Sequence, residues 1–408
     1  MKNRWLIALA AVGIHVCIGS VYAWSVLTKP IMQHMGIGLK ETQWTFSLAI
    51  FFLGMSAAFL GGYVEKYGPR RSGLASAGFF TAGLLGTGLA VLLKSLPLLY
   101  LFYGVIGGIG LGIGYITPVS TLVKWFPENR GFSTGVAIMG FGFASFIAGP
   151  IIQTLIESYS LVATFEILGI TYLLIMVASA LYLAPPIQAL GETIQADQQK
   201  SEYQMTTGEA MKTWQFYALW WMLFTNITCG IGLLSVISPL AQDIVKMSPL
   251  AAATMVGIVG LVNGLGRLAW ASASDYLGRS NTYLAFFLIQ IVSFFVLSKI
   301  SDNLGFQLLI YLIISCYGGG FSTMPAFLSD LFGTKELSAI HGKILTAWAA
   351  AGIVGPYLVA WVKETTNSYS DMLLIFAGCF IISAIVATVL KVRETPEYQS
   401  RSVISLGD

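Results

Sequence analysis

The stretch Gly257-Ile-Val-Gly-Leu-Val-Asn-Gly-Leu-Gly-Arg-Leu-Ala-Trp-Ala-Ser-Ala-Ser-Asp-Tyr-Leu-Gly-Arg279 reads as a membrane-spanning helix running into a polar loop. One charge, Arg267, interrupts it. The loop Asp275-Tyr-Leu-Gly-Arg279 marks a membrane face, and Arg267 lies about 12 Å before it at 1.5 Å per residue. Half a hydrocarbon core is about 15 Å thick, so the guanidinium is rooted near the midplane. A charge there costs roughly 2.5–3.5 kcal/mol or more, which makes Arg267 a functional-site candidate. The plainer alternative is an arginine tied to backbone carbonyls of a neighbouring helix.

Composition agrees with a membrane setting. The 408 residues are 56% hydrophobic and 10% charged, whereas a soluble chain carries about 25% charged residues. A net charge of +3 is too small to suggest nucleic-acid binding. Cys17, Cys229, Cys316 and Cys379 have neither disulfide nor metal-site spacing and read as small packing residues. Apolar segments of spanning length fall near 5–28, 44–63, 73–94, 97–122, 131–156, 162–184, 214–239, 249–272, 281–299, 305–329, 338–362 and 371–391. The first is expected to be retained as a span, since no small-x-small cleavage site follows it. An all-α integral membrane protein of twelve spans results. Its expected parts are a six-helix bundle over 1–184, a polar connection over 185–212, a second bundle over 213–392 and a tail over 393–408.

Positive charge is distributed unevenly. Lys2, Arg4, Lys66, Arg70, Arg71, Lys124, Arg130, Lys200, Lys212, Arg279, Lys335, Lys343, Lys391, Arg393 and Arg401 fall on the side of the N-terminus. Only Lys29, Lys40, Lys94, Lys246, Lys299 and Lys363 fall opposite. By the positive-inside rule both termini are cytoplasmic.

The halves repeat. Gly61-Gly-Tyr-Val-Glu65-Lys-Tyr-Gly68-Pro-Arg70 returns as Ala271-Ser-Ala-Ser-Asp275-Tyr-Leu-Gly278-Arg279. Gly114-Tyr-Ile-Thr-Pro118 returns as Gly320-Phe-Ser-Thr-Met-Pro325, Gly149-Pro150 as Gly355-Pro356, and Ser25-Val26 near Pro30 as Ser235-Val236 near Pro239. Two pseudo-symmetric bundles facing each other across a central path are expected from such a duplication. Arg267 corresponds to Ala57 in the first half, so its charge belongs to a site and not to the shared scaffold.

These motifs resemble the major facilitator superfamily, whose signature between the second and third spans is similar to Gly61–Arg70. More narrowly, Gly19-Ser-Val-Tyr-Ala-Trp-Ser-Val, Gly114-Tyr-Ile-Thr-Pro-Val, Lys124-Trp-Phe-Pro-Glu-Asn-Arg-Gly131 and Ile344-Leu-Thr-Ala-Trp348 are similar to the oxalate/formate antiporter family, which includes bacterial monocarboxylate carriers. In that family a dicarboxylate is held between an arginine on the eighth span and a lysine on the eleventh, inside an aromatic cage. The resemblance places the arginine at Arg267. It places the lysine at Trp348, a departure that argues for one carboxylate rather than two. The implied cage is Tyr22, Tyr115, Phe141, Tyr317 and Phe321.

The residues themselves support an anion site. A guanidinium offers a planar fork matched to a carboxylate. Asn263, one turn earlier, is placed either to bond the substrate or to hold the fork; an interhelical bond is the alternative. No Asp or Glu lies deep in a span, so a proton relay built on carboxylates is missing and a substrate anion becomes the natural partner of Arg267. His15 shares a face with Gly19 and Tyr22 and is the candidate for carrying a coupled proton, against a neutral, hydrogen-bonded ring. Ser20 and Thr117 are weaker candidates. Glu65/Arg70 and Asp275/Arg279 are expected to latch helix ends, trading partners as the halves move. Gly104, Gly108 and Gly112, and Gly260 with Gly264, are small-residue ridges for close helix approach.

The expected function is a secondary transporter of a small monocarboxylate (lactate, pyruvate or formate) in a bacterial inner membrane, by proton symport or anion exchange. It is expected to act without cofactor or metal, with no nucleic-acid partner, as a monomer. Oxalate-type exchange is the alternative within the class, and a non-transporting membrane sensor the alternative outside it. Enzymatic activity is not expected, since no carboxylate pair, metal cluster or activated serine sits at depth.

Overall fold

The computed structural model describes residues 2–126, 130–185, 205–333 and 336–394. Most of the connection (186–204) and of the tail (395–408) lies outside these, as does the side chain of Glu65. Among the described residues, twelve helices are long and apolar enough to cross a membrane. They are α1 Arg4–Met35, α2 Leu39–Phe59, α3 Lys66–Leu92, α4 Leu96–Leu122, α5 Met139–Ser158, α6 Leu161–Tyr182, α7 Trp214–Ile244, α8 Pro249–Leu277, α9 Arg279–Leu297, α10 Asn303–Phe332, α11 Ile340–Thr366 and α12 Ser370–Lys391. In hydrocarbon every backbone polar group must find a partner within the protein, and the helix does this segment by segment.

α1–α6 form one bundle and α7–α12 the other. The most extensive seams between them are α2 against α11 and α5 against α8. Both are made by small residues. A Cβ on Gly54 would stand 2.8 Å from the backbone nitrogen of Ala349, and one on Gly142 would stand 2.9 Å from the carbonyl oxygen of Gly260. The ridge Gly104, Gly108 and Gly112 does something different from Gly260/Gly264. It packs on Leu48, Phe52 and Leu53 of α2, inside the first bundle, and belongs to no seam between halves.

The first span is longer than its hydropathy suggests and is not continuous. Two α-helices, Arg4–Ile18 and Trp24–Met35, are joined by a 3₁₀ turn over Gly19–Ala23, so Lys29, expected beyond the span, lies inside it. In α4 the stretch Tyr100–Gly107 is wound as a π-helix. Of the prolines inside the described spans, six pair across the repeat as Pro30/Pro239, Pro118/Pro325 and Pro150/Pro356. Each lacks an N–H, and each therefore frees the carbonyl four residues earlier to bond elsewhere.

Below, the end of the molecule carrying the N-terminus is called the near face. The end carrying the α1–α2 and α7–α8 turns is called the far face.

Candidate functional site

Arg267 is buried, at 4% exposure, on the inner side of α8. Its own helix and α10 hold it there. A Cβ on Gly318 would stand 2.5 Å from Asn263 Oδ1 and 3.2 Å from Arg267 Cγ, so only glycine lets α10 come this close. Ser322 Oγ donates to the Arg267 carbonyl at 2.7 Å. The Arg267 Nε–H donates to Asn263 Oδ1 at 3.4 Å, which gives Asn263 the fork-holding place. The guanidinium centre lies 5.2 Å from the Phe321 ring centroid. Its Nη1 is buried with no hydrogen-bond partner among the described residues. The backbone-carbonyl clasp that would have made Arg267 merely structural does not appear among its hydrogen bonds there.

The six aromatic positions come together around it. Phe141 meets Tyr22 edge-on at 4.8 Å and Tyr115 at 5.8 Å between centroids. Trp348 stands 5.2 Å from Tyr115 and 5.0 Å from Phe321, and Phe321 stands 5.5 Å from Tyr317. Tyr22 and Tyr317 close the ring across the two bundles through their hydroxyls, 3.1 Å apart. Both Tyr22 and Tyr115 stand close enough to the guanidinium to interact with it. Such edge-to-face rings make a stiff, dry wall. Two more donors are buried without partners among the described residues, Asn263 Nδ2 and Trp348 Nε1. The site thus sets a cation, with two phenol hydroxyls close to it, beside neutral N–H groups that have no partner among the described residues.

Tyr22 owes its place to the 3₁₀ turn of α1. A Cβ on Gly19 would meet Ala144 at 2.6 Å, so the chain packs tightly on α5 there. The weaker candidates use their hydroxyls locally: Ser20 Oγ donates to the Cys17 carbonyl and Thr117 Oγ1 to the Ile113 carbonyl, each at 2.7 Å. His15 is fully buried, with Nε2 3.1 Å from the Tyr115 carbonyl oxygen and its ring stacked on Tyr115 at 5.7 Å. Its N–H therefore braces the cage.

A second support was not foreseen from the sequence. Gln290 Nε2 donates to Asn226 Oδ1 at 3.0 Å, and Asn226 Nδ2 donates to the Tyr317 carbonyl at 3.2 Å. Tyr283 donates its hydroxyl to the Gly320 carbonyl at 2.5 Å. These side chains from α7 and α9 steady the Gly318-Gly319-Gly320 run that carries Tyr317 and Phe321.

At the near face, Arg279 pairs with Asp275 at 2.5 Å and with Asp330 at 3.3 Å. It also bonds Ser274. All these partners belong to the second bundle, so the latch ties α8, α9 and α10 together rather than joining the halves, and Asp330 is a member of it. Arg70 is exposed near Lys2, whose pKa is pushed down by burial and then by the Arg70 charge.

At the far face the halves are tied by polar groups. Gln43 Nε2 donates to the Ser235 carbonyl at 3.1 Å, and Thr28 Oγ1 reaches the same oxygen at 3.4 Å. Ser235 lies four residues before Pro239, so this carbonyl is the one the proline frees. Nearer the surface, Lys29 pairs with Asp243 at 2.8 Å and the Lys40 backbone N–H donates to Glu364 at 2.7 Å. The repeated Pro30/Pro239 was a sequence signal for a freed carbonyl, but nothing in the sequence says which donor takes it.

The profile of the Major Facilitator Superfamily matches residues 9–356 and, in a second alignment, 222–404. The chain belongs to the major facilitator superfamily. It is similar to the oxalate:formate antiporter of Oxalobacter formigenes, 27% identical over 398 residues that cover 96% of this chain and 92% of that one. It is also similar to apicoplast pyruvate carrier 1 of Toxoplasma gondii, 23% identical with 90% and 85% covered. Monocarboxylate transporter 12 of Rattus norvegicus is likewise 23% identical, with 95% and 85% covered. Among solved structures, a bacterial homologue of the human lysosomal transporter Spinster, inward-facing and unoccupied, superposes with a TM-score of 0.74. That match is at 14% identity and covers 96% of this chain and 99% of that one. It speaks for the fold.

Proposed function

We propose that this superfamily transporter carries a small monocarboxylate, such as lactate, pyruvate or formate, by alternating access, with Arg267 binding the carboxylate. The observation behind this reading is the unpartnered Nη1 of a guanidinium buried inside an aromatic chamber. An unpaired charge at such depth is costly, and a passing anion relieves that cost. Asn263 holds the fork, while Trp348 Nε1 supplies a neutral donor where the resemblance leads one to expect a second cation. Tyr22, Tyr115, Phe141, Tyr317 and Phe321 set the shape of the chamber.

The near face is cytoplasmic in this reading and the membrane a bacterial inner membrane, with the protein acting as a monomer and each bundle rocking as a unit. Arg279, Asp275 and Asp330 stiffen the second bundle at its near end, and Glu65 and Arg70 mark the equivalent place in the first. A proton is carried in symport or a second anion in exchange. His15 is the group proposed to titrate during symport. His15→Gln flattens the pH dependence of uptake if it does, and an unchanged profile removes it.

The deciding experiment is counterflow of a labelled acid panel into liposomes containing intact protein, Arg267→Lys or Arg267→Ala. Intact protein is expected to exchange a monocarboxylate. Arg267→Lys, which keeps charge but loses the fork, should be greatly weakened, and Arg267→Ala inactive. Equal flux through Arg267→Ala would overturn the reading. Similarity to the oxalate:formate antiporter favours a second reading, dicarboxylate exchange. Oxalate binding at least as tightly as lactate would select it.

A further inference from the structure

α11 is not one rod. A short helix, Leu337–Ile344, leads into it, and the main helix starts at Thr346. At Leu345 ψ is −10°, and the Leu345 carbonyl accepts from the Trp348 N–H at 2.9 Å, a three-residue step that tightens the chain there. The corresponding stretch of the first half is unbroken, one helix running from Arg130 to Ser158. The break is therefore not part of the shared scaffold. It stands three residues before Trp348, which walls the chamber.

Three sets of contacts act on this short arm. At the break, Trp220 of α7 donates its indole N–H to Thr346 Oγ1 at 3.0 Å, and that hydroxyl donates to the Lys343 carbonyl at 2.7 Å. Along its length the arm meets α2 of the opposite bundle. Lys343 Nζ lies 4.8 Å from the Phe59 ring centroid, and a Cβ on Gly342 would stand 3.7 Å from the Ala58 carbonyl oxygen. At the start of the arm, Glu336 accepts from both the backbone N–H and the hydroxyl of Thr207, at 2.7 and 2.8 Å. Thr207 lies in the last part of the polar connection between the bundles, and that part is itself folded onto the second bundle. Thr206 and Glu209 make a capping box, and the Met205 N–H donates to the Phe332 carbonyl at 2.9 Å. The arm is thus pivoted at one end, tied at the other, and laid against the first bundle in between.

We propose that Glu336 and Thr207 are positioning residues of the near-face closure. Their bond holds the Leu337–Ile344 arm against α2, and its release lets the arm swing about Leu345 and open the near side of the chamber. A carboxylate that takes two donors from one residue makes a strong and directional tie. A few residues at the end of an element are a common place for the hinge of such a swing. This closure presupposes alternating access, as the proposed function does, but not which acid is carried. Were the connection merely packed at the near face, cutting the bond would loosen its own neighbourhood and leave the contact with α2 as it was.

The test is the rate at which a short bifunctional thiol reagent cross-links Ala58→Cys to Gly342→Cys in the full chain, in liposomes without substrate. The protein with Ala58→Cys alone serves as control for the native cysteines. Glu336→Leu should slow the cross-link at least about threefold. Thr207→Val, which loses the hydroxyl and keeps the N–H, should slow it less, and Thr207→Ser should leave it unchanged. Spin labels at Gln33 and Leu250, exposed at the far face, should report the same distances in Glu336→Leu as in the intact protein, because only the near closure is released. If Glu336→Leu fails to assemble, Glu336→Gln, which keeps the shape and weakens both bonds, carries the same test. An unchanged or faster cross-link in the Glu336 variant, or equal slowing by Thr207→Ser and Thr207→Val, overturns the proposal. So does a far face that loosens together with the near one. None of these readouts depends on transport, so a failure here leaves the carboxylate reading standing, and the reverse.

Discussion

The two ends of the central chamber are closed by different physics. Toward the far face, the closure is made of directional polar bonds: Gln43 and Thr28 to the Ser235 carbonyl, Lys29 to Asp243, and Lys40 to Glu364. Toward the near face, the chamber wall is a set of rings, Tyr115 on Trp348 and Trp348 on Phe321, which touch without a hydrogen bond between them. Hydrogen bonds in a buried place switch on or off with one donor, whereas ring packing responds to volume. The far closure should therefore be sensitive to which atoms are present, and the near wall to how much space is filled.

The largest effect is expected at Trp348, which is fully buried. Trp348→Ala should remove about 3–5 kcal/mol of packing and leave transport too weak to measure above empty liposomes. Trp348→Phe keeps most of the volume and loses the indole N–H together with a small part of the ring. Its cost should be near 1 kcal/mol, read as a KM for the acid raised roughly fivefold with little change in maximal flux. If the two variants were equally damaged, the N–H and not the volume would govern the near wall, and the contrast would fail.

Next is Gln43→Leu, nearly the reverse case, in which volume is kept and the donor lost. The Ser235 carbonyl then keeps only its longer bond from Thr28. Leaving a buried acceptor poorly satisfied costs about 1–3 kcal/mol, so the far-closed state should lose some tenfold or more in population. Spin labels at positions 33 and 250, on exposed sites flanking the far closure, should report a second, longer distance. Pro239→Ala gives this carbonyl back an N–H of its own helix, and should open the same equilibrium by a smaller amount. Because both changes act on one oxygen, the double variant should open it by less than the sum of the two. Additive effects would show that the proline and the glutamine act on different things.

Much of the architecture could be read from residues alone, and the reasons are physical. Span length and apolar content are local properties, so twelve helices follow from hydropathy, and the prolines that return at the same places in both halves follow from the duplication. Arg267 stood out because one charge in an apolar run has few explanations. The cage residues, by contrast, are six among many aromatics, and only a family resemblance singled them out. What could not be read were contacts between the halves. Gln43 looks like any polar residue near a helix end until Ser235 is brought opposite it. Gly19–Ala23 is as apolar as its neighbours, so the 3₁₀ turn that presents Tyr22 leaves no mark in hydropathy. Lys29 looked like a loop residue because a charge usually ends a span, yet α1 runs on to Met35 and the lysine is held by Asp243 from α7.

That pair is where the smallest effect is expected, and it sharpens the contrast from within the far closure itself. Lys29 and Asp243 side chains are 31% and 39% exposed, so water and salt screen their attraction. Such a pair is worth about 0–1 kcal/mol, well under the buried bond from Gln43. Lys29→Gln should lengthen the 33–250 distance in a minor fraction of molecules, and 0.5 M salt should reproduce that fraction in the intact protein. Salt should leave Gln43→Leu nearly unchanged, because a buried amide–carbonyl bond carries no net charge to screen. A charge swap, Lys29→Asp with Asp243→Lys, should restore the intact distribution. If Lys29→Gln opened the far side as widely as Gln43→Leu, the exposed ion pair would be holding the two bundles together there, and the freed carbonyl of Ser235 would be incidental.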